Sequence, residues 1–308
     1  MSTSDLTPVS KAEFSEILNI WVKQYNINPS DQPDITPIID SITADCIAQL
    51  GPEVGPKYAV NGAMLAVTFY STHPTSLQRI LGLYTAGFLS LDDLAPDLHS
   101  DIELFGKRIQ TGQPQPRGPL EILRKSLAEM EPHYSDFTMG MIYATTFEAM
   151  LSMVMESSGR AFSADQVSAN FTQFFRWLLG FGKPYGYFLL APVLYDAPIR
   201  DVEVVLFGLM PDLSEMGVVL NDDLSFYKES VVGDERSNYI YKEARSRGIS
   251  LYRELVETTQ RMIATYDDMR RKVGEIPQLQ VVTDAWMKGM VQFHFAASRY
   301  RLHEVEIS

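Results

Sequence analysis

MGVVLNDDLSFYKES, residues 216–230, reads as one continuous helix whose character changes part-way along. The apolar run Met216 to Leu220 passes directly into Asn221, Ser225 and Glu229, which stand at i, i+4 and i+8. At 3.6 residues per turn that spacing puts an amide, a hydroxyl and a carboxylate on one helix face. Together they form an oxygen-donor set suited to a hard divalent cation. Lys228 beside them adds a donor for a phosphate. The plain alternative is a polar helix face with ordinary i, i+4 pairs. That alternative explains poorly why the stripe follows the apolar run so directly.

Working outward, helical spacing dominates the chain and alternating strand patterns are scarce. Helices are expected over Ile35–Leu50, Lys57–Thr72, Ser76–Leu91, Leu120–Glu131 and Ser135–Glu156. A further helix should start at a Ser163/Gln166 capping box and run to Leu179, where Gly180, Gly182, Pro184 and Gly186 break it. The next begins at Asp196-Ala-Pro198 and is interrupted by Pro211, and Asp212–Ser230 follows. Polar helices over Asp234–Arg247 and Leu251–Lys272 lead to a last one from Gln278 to about Glu304. The clearest loop is QTGQPQPRGP, residues 110–119. No repeat or long linker divides the chain, so one all-α domain of about ten helices over residues 1–308 is expected, with about 1–30 flexible or loosely packed.

The 308 residues carry 39 acidic and 26 basic side chains, a net charge of −13. That balance argues against nucleic acid and anionic membrane surfaces as partners, since both need clustered Lys and Arg. A single cysteine, Cys46, excludes an internal disulfide framework and any Cys-rich zinc site. The polar N-terminus has no signal-peptide pattern, and no apolar run reaches the length of a membrane span. A cytoplasmic protein without a stable membrane anchor is expected, and a homodimer is left open.

Three further constellations carry chemistry. The apolar stretch LQRILGLYTAGFLSL (77–91) runs into Asp92-Asp93, with Asp97 shortly after. Adjacent carboxylates there are costly unless solvated or neutralised by a cation such as Mg²⁺. Arg176 lies in the apolar segment FFRWLLGFGKPYG and needs either a phosphate or a buried carboxylate as partner. Arg299-Tyr300-Arg301 follows the apolar stretch VQFHFAA; a basic helix C-terminus favoured by the dipole is its plain reading.

The segments LDD (91–93), NDDLSFYKE (221–229), GDER (233–236) and SRYRL (298–302), with Arg176 placed 45 positions ahead of Asn221, resemble a class I terpene synthase. The wording is similar to fungal trichodiene synthase-type sesquiterpene synthases, and the resemblance spans Leu91 to Leu302 in order. It implies an all-α helical bundle of the class I terpenoid synthase type with a central active-site cavity. It implies three Mg²⁺ ions, with Mn²⁺ able to substitute. Asp92 would bridge two of them and Asn221, Ser225 and Glu229 would hold the third. Arg176, Lys228, Arg299 and Tyr300 would hydrogen-bond the diphosphate, with Gly180 at the helix break. The implied substrate is farnesyl, or geranyl, diphosphate. Candidate aromatic walls are Phe69, Tyr70, Tyr84, Phe88, Phe147, Tyr187 and Phe295.

Two departures from the family pattern stand out. Pro96 displaces the third Asp by one position, which leaves Asp93 and Asp97 as secondary ligand candidates. Leu179 replaces the Asp or Asn that would link Arg176 to Gly180. A trichodiene- or cuprenene-like cyclic product and a linear one, either an alcohol such as nerolidol or linalool or an acyclic hydrocarbon, both fit the resemblance. A chain-elongating prenyltransferase is disfavoured because it needs two Asp-rich motifs. From another class, a non-catalytic all-α scaffold with solvated acidic faces is the alternative.

Overall fold

Capping residues set most of the helix starts. In the computed structural model, residues 6–158, 168, 171–180, 182–236, 238–274 and 276–307 are described. Ser10 opens α1 (Lys11–Tyr25) through a capping box with Glu13. Prolines in the first turn open α2 (Thr36–Leu50) and α3 (Gly55–Phe69). There follow α4 (Thr75–Thr111), α5 (Pro119–Met130), α6 (Asp136–Ser157), α7 (Phe171–Leu179) and α8 (Gly182–Tyr187). The chain closes with α9 (Ile199–Phe226), α10 (Tyr239–Arg247), α11 (Leu251–Lys272) and α12 (Pro277–Ala296). Among the described residues there is no strand, so the fold is all-α. The Ser163/Gln166 capping box lies outside the described residues.

Four boundaries differ from the sequence reading, each for a local reason. Helix α4 does not stop at Leu91, and α9 is not interrupted at Pro211: both prolines lie inside their helices. Each ring sits at an exposed position. The apolar faces run on past them, through Ala95, Ile102 and Phe105 in α4 and through Leu213 and Met216 in α9. Packing on that face offsets the lost helical bond, which Pro96 withholds from the carbonyl of Asp92. Helix α10 starts at Tyr239 rather than Asp234, because Arg236 spends its Nη1 on the carbonyls of Ser230, Gly233 and Glu235. The last helix ends at Ala296, after which Ser298–Tyr300 forms a 3₁₀ turn and Arg301 takes the left-handed conformation.

Helix α3 packs on α2, α4 and α12, and α9 packs on α8 and α11. The crossings are tight. A Cβ on Gly62 would stand 2.3 Å from the Gly82 carbonyl oxygen, and one on Gly289 would stand 2.1 Å from that of Thr68. The N-terminal segment is not loose where it forms α1: Phe14, Ile17, Leu18 and Trp21 are fully buried in the core. The Trp21 indole Nε1 donates to Asp223 Oδ2 at 2.7 Å, pinning α1 to α9. One contiguous apolar core extends from Val9 to Val305. No helix among the described residues is long and apolar enough to cross a membrane.

Candidate active site

Helices α3, α4, α8, α9 and α12 enclose a cavity of about 410 Å³, including the part open to solvent. Apolar side chains dominate its wall, among them Phe69, Leu89, Trp286 and Phe293. Its polar groups are Tyr185, Asn221, His294 and Tyr300.

Asn221 stands at this wall because the apolar run before it packs inward and turns the next residue of the face to the cavity. Its Nδ2 donates to His294 Nε2 at 3.0 Å and to the Tyr300 hydroxyl at 3.3 Å. One turn on, Ser225 is buried and its Oγ has no hydrogen-bond partner. Such a group costs about 1–3 kcal/mol if it stays unmade. Glu229 lies within 3.5 Å of both Lys228 Nζ and Asn238 Nδ2. It sits in a π turn over Tyr227–Val231, closed by Val232 N–H donating to the Tyr227 carbonyl. An amide oxygen and a hydroxyl that have no partner among the described residues, with a carboxylate on the next turn, fit a hard cation by donor chemistry. Among the described residues, no three His, Cys, Asp or Glu side chains gather into a metal-binding group.

The basic groups converge from three other elements. Arg176 on α7 grips Asp222 in a two-pronged pair, Nε to Oδ2 and Nη2 to Oδ1, both at 2.8 Å. Burial pulls the Arg176 pKa down, but Asp222, then Glu156 and Glu229, outweigh it and hold it above its ordinary value. The guanidinium keeps Nη1 and one Nη2 hydrogen for another acceptor. Arg299 and Lys228 flank the Tyr300 ring, at 5.5 and 5.8 Å from its centre. Asp92 on α4 lies within electrostatic reach of Arg299 and Arg176. Desolvation raises its pKa, Asp93 and Glu156 push it further up, and Arg299 and Arg176 pull it down.

Asp93 is turned away: it accepts from the Tyr58 hydroxyl at 2.6 Å and meets Lys57 at 3.4 Å. Asp97 is exposed and makes no hydrogen bond or ion pair with a described residue. Gly180 lies at the break between α7 and α8, where a Cβ would meet Val218 Cγ1 at 1.7 Å.

Of the expected aromatic walls, only Phe69 lines this cavity. Tyr84 and Phe88 are fully buried core residues, stacked on each other at 6.0 Å, and the Tyr84 hydroxyl bonds Thr146 at 2.9 Å. Phe147 packs edge-on against Phe105 instead. Tyr70 anchors the Tyr185 carbonyl at 3.0 Å, while Tyr187 and Phe295 are buried but not in this wall. The reason is helical phase: each side chain sits on a helix face that the sequence marks only as apolar.

Sequence reasoning missed Asp222, Glu156, Tyr185, Trp286, Phe293 and His294. Asp222 had a signal, since a buried Arg demands a carboxylate and this one is in the same motif as Asn221. His294 offered none beyond its apolar neighbourhood.

An all-α bundle around an aromatic cavity is the fold of a class I terpene synthase. The family model described as "Trichodiene synthase (TRI5)" matches residues 54–307, and the chain belongs to that family of terpene synthase lyases. That membership disposes of the non-catalytic scaffold. An (E)-beta farnesene synthase of Metarhizium brunneum is 29% identical over 246 residues, 80% of this chain and 74% of the relative. Terpene synthase BipA of Cochliobolus sativus is 24% identical over 98% of this chain and 94% of its own. The crystal structure of germacradien-4-ol synthase from Streptomyces citricolor superposes with a TM-score of 0.57 at 11% identity, covering 95% of this chain and 94% of that one. That likeness supports the fold alone.

Proposed function

We propose that this chain is a Mg²⁺-dependent sesquiterpene synthase that ionises farnesyl diphosphate, with geranyl diphosphate as the shorter alternative. The observation that carries the proposal is the stripe on α9: the Asn221 amide lines the aromatic cavity with Tyr300, whose ring Arg299 and Lys228 flank, and one turn on Ser225 Oγ is buried without a partner among the described residues. Asp92, Asn221, Ser225 and Glu229 would hold Mg²⁺, which when bound offsets charge developing on the diphosphate.

The chain's own residues supply the rest. Arg176, Lys228, Arg299 and the Tyr300 hydroxyl donate to the diphosphate oxygens, and stabilise them more as the C1–O electron pair leaves. The walls exclude water from the allyl cation. The faces of Phe69, Tyr185, Trp286 and Phe293 stabilise it by about 0.5–2 kcal/mol each. Loss of a proton to the departed diphosphate gives a hydrocarbon, and capture of a single admitted water followed by loss of its proton gives an alcohol. Similarity to a farnesene synthase supports an acyclic outcome alongside a cyclic one.

The test is incubation with farnesyl or geranyl diphosphate and Mg²⁺, with and without a chelator, followed by analysis of volatiles and released diphosphate. Release from farnesyl diphosphate that stops on chelation supports the proposal; no release from either substrate ends it. Added isopentenyl diphosphate separates prenyl transfer, which would yield longer diphosphates.

A further inference from the structure

His294 is fully buried on α12 and makes two hydrogen bonds in a line. Its Nδ1 lies 2.7 Å from the Met290 carbonyl oxygen, and its Nε2 lies 3.0 Å from Asn221 Nδ2. A carbonyl only accepts, so Nδ1 carries the hydrogen. In a neutral imidazole the other nitrogen then holds a bare lone pair. A bare Nε2 can only accept, so Asn221 must present its NH₂ group to the ring and not its oxygen. The second hydrogen of that NH₂ goes to the Tyr300 hydroxyl at 3.3 Å. The Tyr300 ring is held in turn, tilted against the His294 ring with centres 4.3 Å apart. Both amide hydrogens are therefore spent inside the protein, and the amide oxygen is the one side-chain group of Asn221 left without a partner among the described residues.

We infer that His294 is a positioning residue: relayed from the Met290 carbonyl, its bare nitrogen fixes the rotation of the Asn221 amide so that the oxygen is offered to the cation. This rests on the proposal that Asn221 is a metal ligand. Without the acceptor at 294, the amide can turn over and point two N–H donors at a cation, which is repulsive. The relay also accounts for Tyr300. Its oxygen accepts from Asn221, so its own hydrogen remains free for a phosphate oxygen.

The experiment measures Mn²⁺ binding by loss of the free-ion paramagnetic resonance signal, with inorganic diphosphate present so that no turnover occurs. Outer-shell partners of metal ligands are worth roughly 10–100-fold in affinity. His294→Leu and His294→Met, which lack a good acceptor, should weaken Mn²⁺ binding by about that factor. His294→Gln, whose Oε1 can accept from Asn221, should stay within about threefold of wild type. Circular dichroism checks that each variant is folded. If Leu or Met binds Mn²⁺ like wild type, or if Gln falls as far as Leu, the relay is wrong. If neither apolar variant folds, the nitrogen-15 spectrum of the wild-type imidazole decides. It must show hydrogen on Nδ1 and a bare Nε2, and the opposite tautomer overturns the inference. Wild-type protein that binds no Mn²⁺ at all refutes the metal proposal itself, which is a distinct outcome.

Discussion

Replacing Trp21 with Phe tests how strongly the N-terminal helix is fastened to the helix that carries the site. Asp223 is fully buried, and both of its donors, Trp21 Nε1 and Thr259 Oγ1, reach Oδ2 at 2.7 Å. Its Oδ1 has no partner among the described residues. Trp21→Phe removes one of two donors from a buried carboxyl whose pKa burial raises to about 7, so the bond is part neutral and part charged in character and its loss is about 1–3 kcal/mol. The smaller ring leaves a void worth about 1 kcal/mol more. A total near 3 kcal/mol is a large share of the roughly 5–15 kcal/mol that holds a typical domain together. Trp286→Phe is the internal control. That indole is equally buried, but among the described residues its nitrogen makes no hydrogen bond of good geometry and only a weak polar contact with the Tyr70 hydroxyl, so it should lose mainly the packing part. Urea unfolding followed by far-UV circular dichroism gives both numbers. Equal losses in the two variants would refute the reasoning, because the hydrogen bond would then contribute nothing beyond the ring.

Two further outcomes follow from buried groups elsewhere. Ser225→Ala should leave the metal-free protein as stable as wild type or more so, since it deletes an orphaned hydroxyl, while raising the Mg²⁺ concentration for half-maximal activity; melting curves and a Mg²⁺ titration check the two signs. His73 is pushed down to about 4 by burial, which its contact with the Phe188 carbonyl at 2.9 Å only partly opposes. Its stabilising share is therefore complete above its ordinary pKa near 6.5 and is lost as pH falls towards 4, about 3 kcal/mol over the interval. His73→Gln should show a flatter stability profile between pH 7 and 4, measured by urea midpoints.

The α9 face was legible because its donors recur at helical spacing after an apolar run, and because the residue types are chemically unusual together. The aromatic wall was not. Leu, Phe and Tyr occur on every buried face of an all-α bundle, and only the phase of each helix decides which face meets the cavity. Tyr84 and Phe69 illustrate the point: similar neighbourhoods in sequence, yet one bonds Thr146 in the core and the other lines the cavity. Pro211 misled for a related reason. It marks a helix end by local rule, but long apolar faces on either side kept α9 whole, and α4 likewise runs on past Leu91 with Pro96 inside it. His294 was invisible because its role depends on two partners, one of them 73 positions away.

The π turn over Tyr227–Val231 carries one more lesson. In a regular α-helix a step of four residues overshoots a full circle by about 40°, so Glu229 would stand about 80° round the axis from Asn221. The wider turn moves each residue through a smaller angle and brings the carboxylate back towards the line of Asn221 and Ser225. Aim is thus set by winding as well as by spelling. A substitution that rewound this turn into a plain α-helix would misdirect Glu229 with all three proposed ligands still present in the sequence, and a relative could keep the motif intact and lose its geometry.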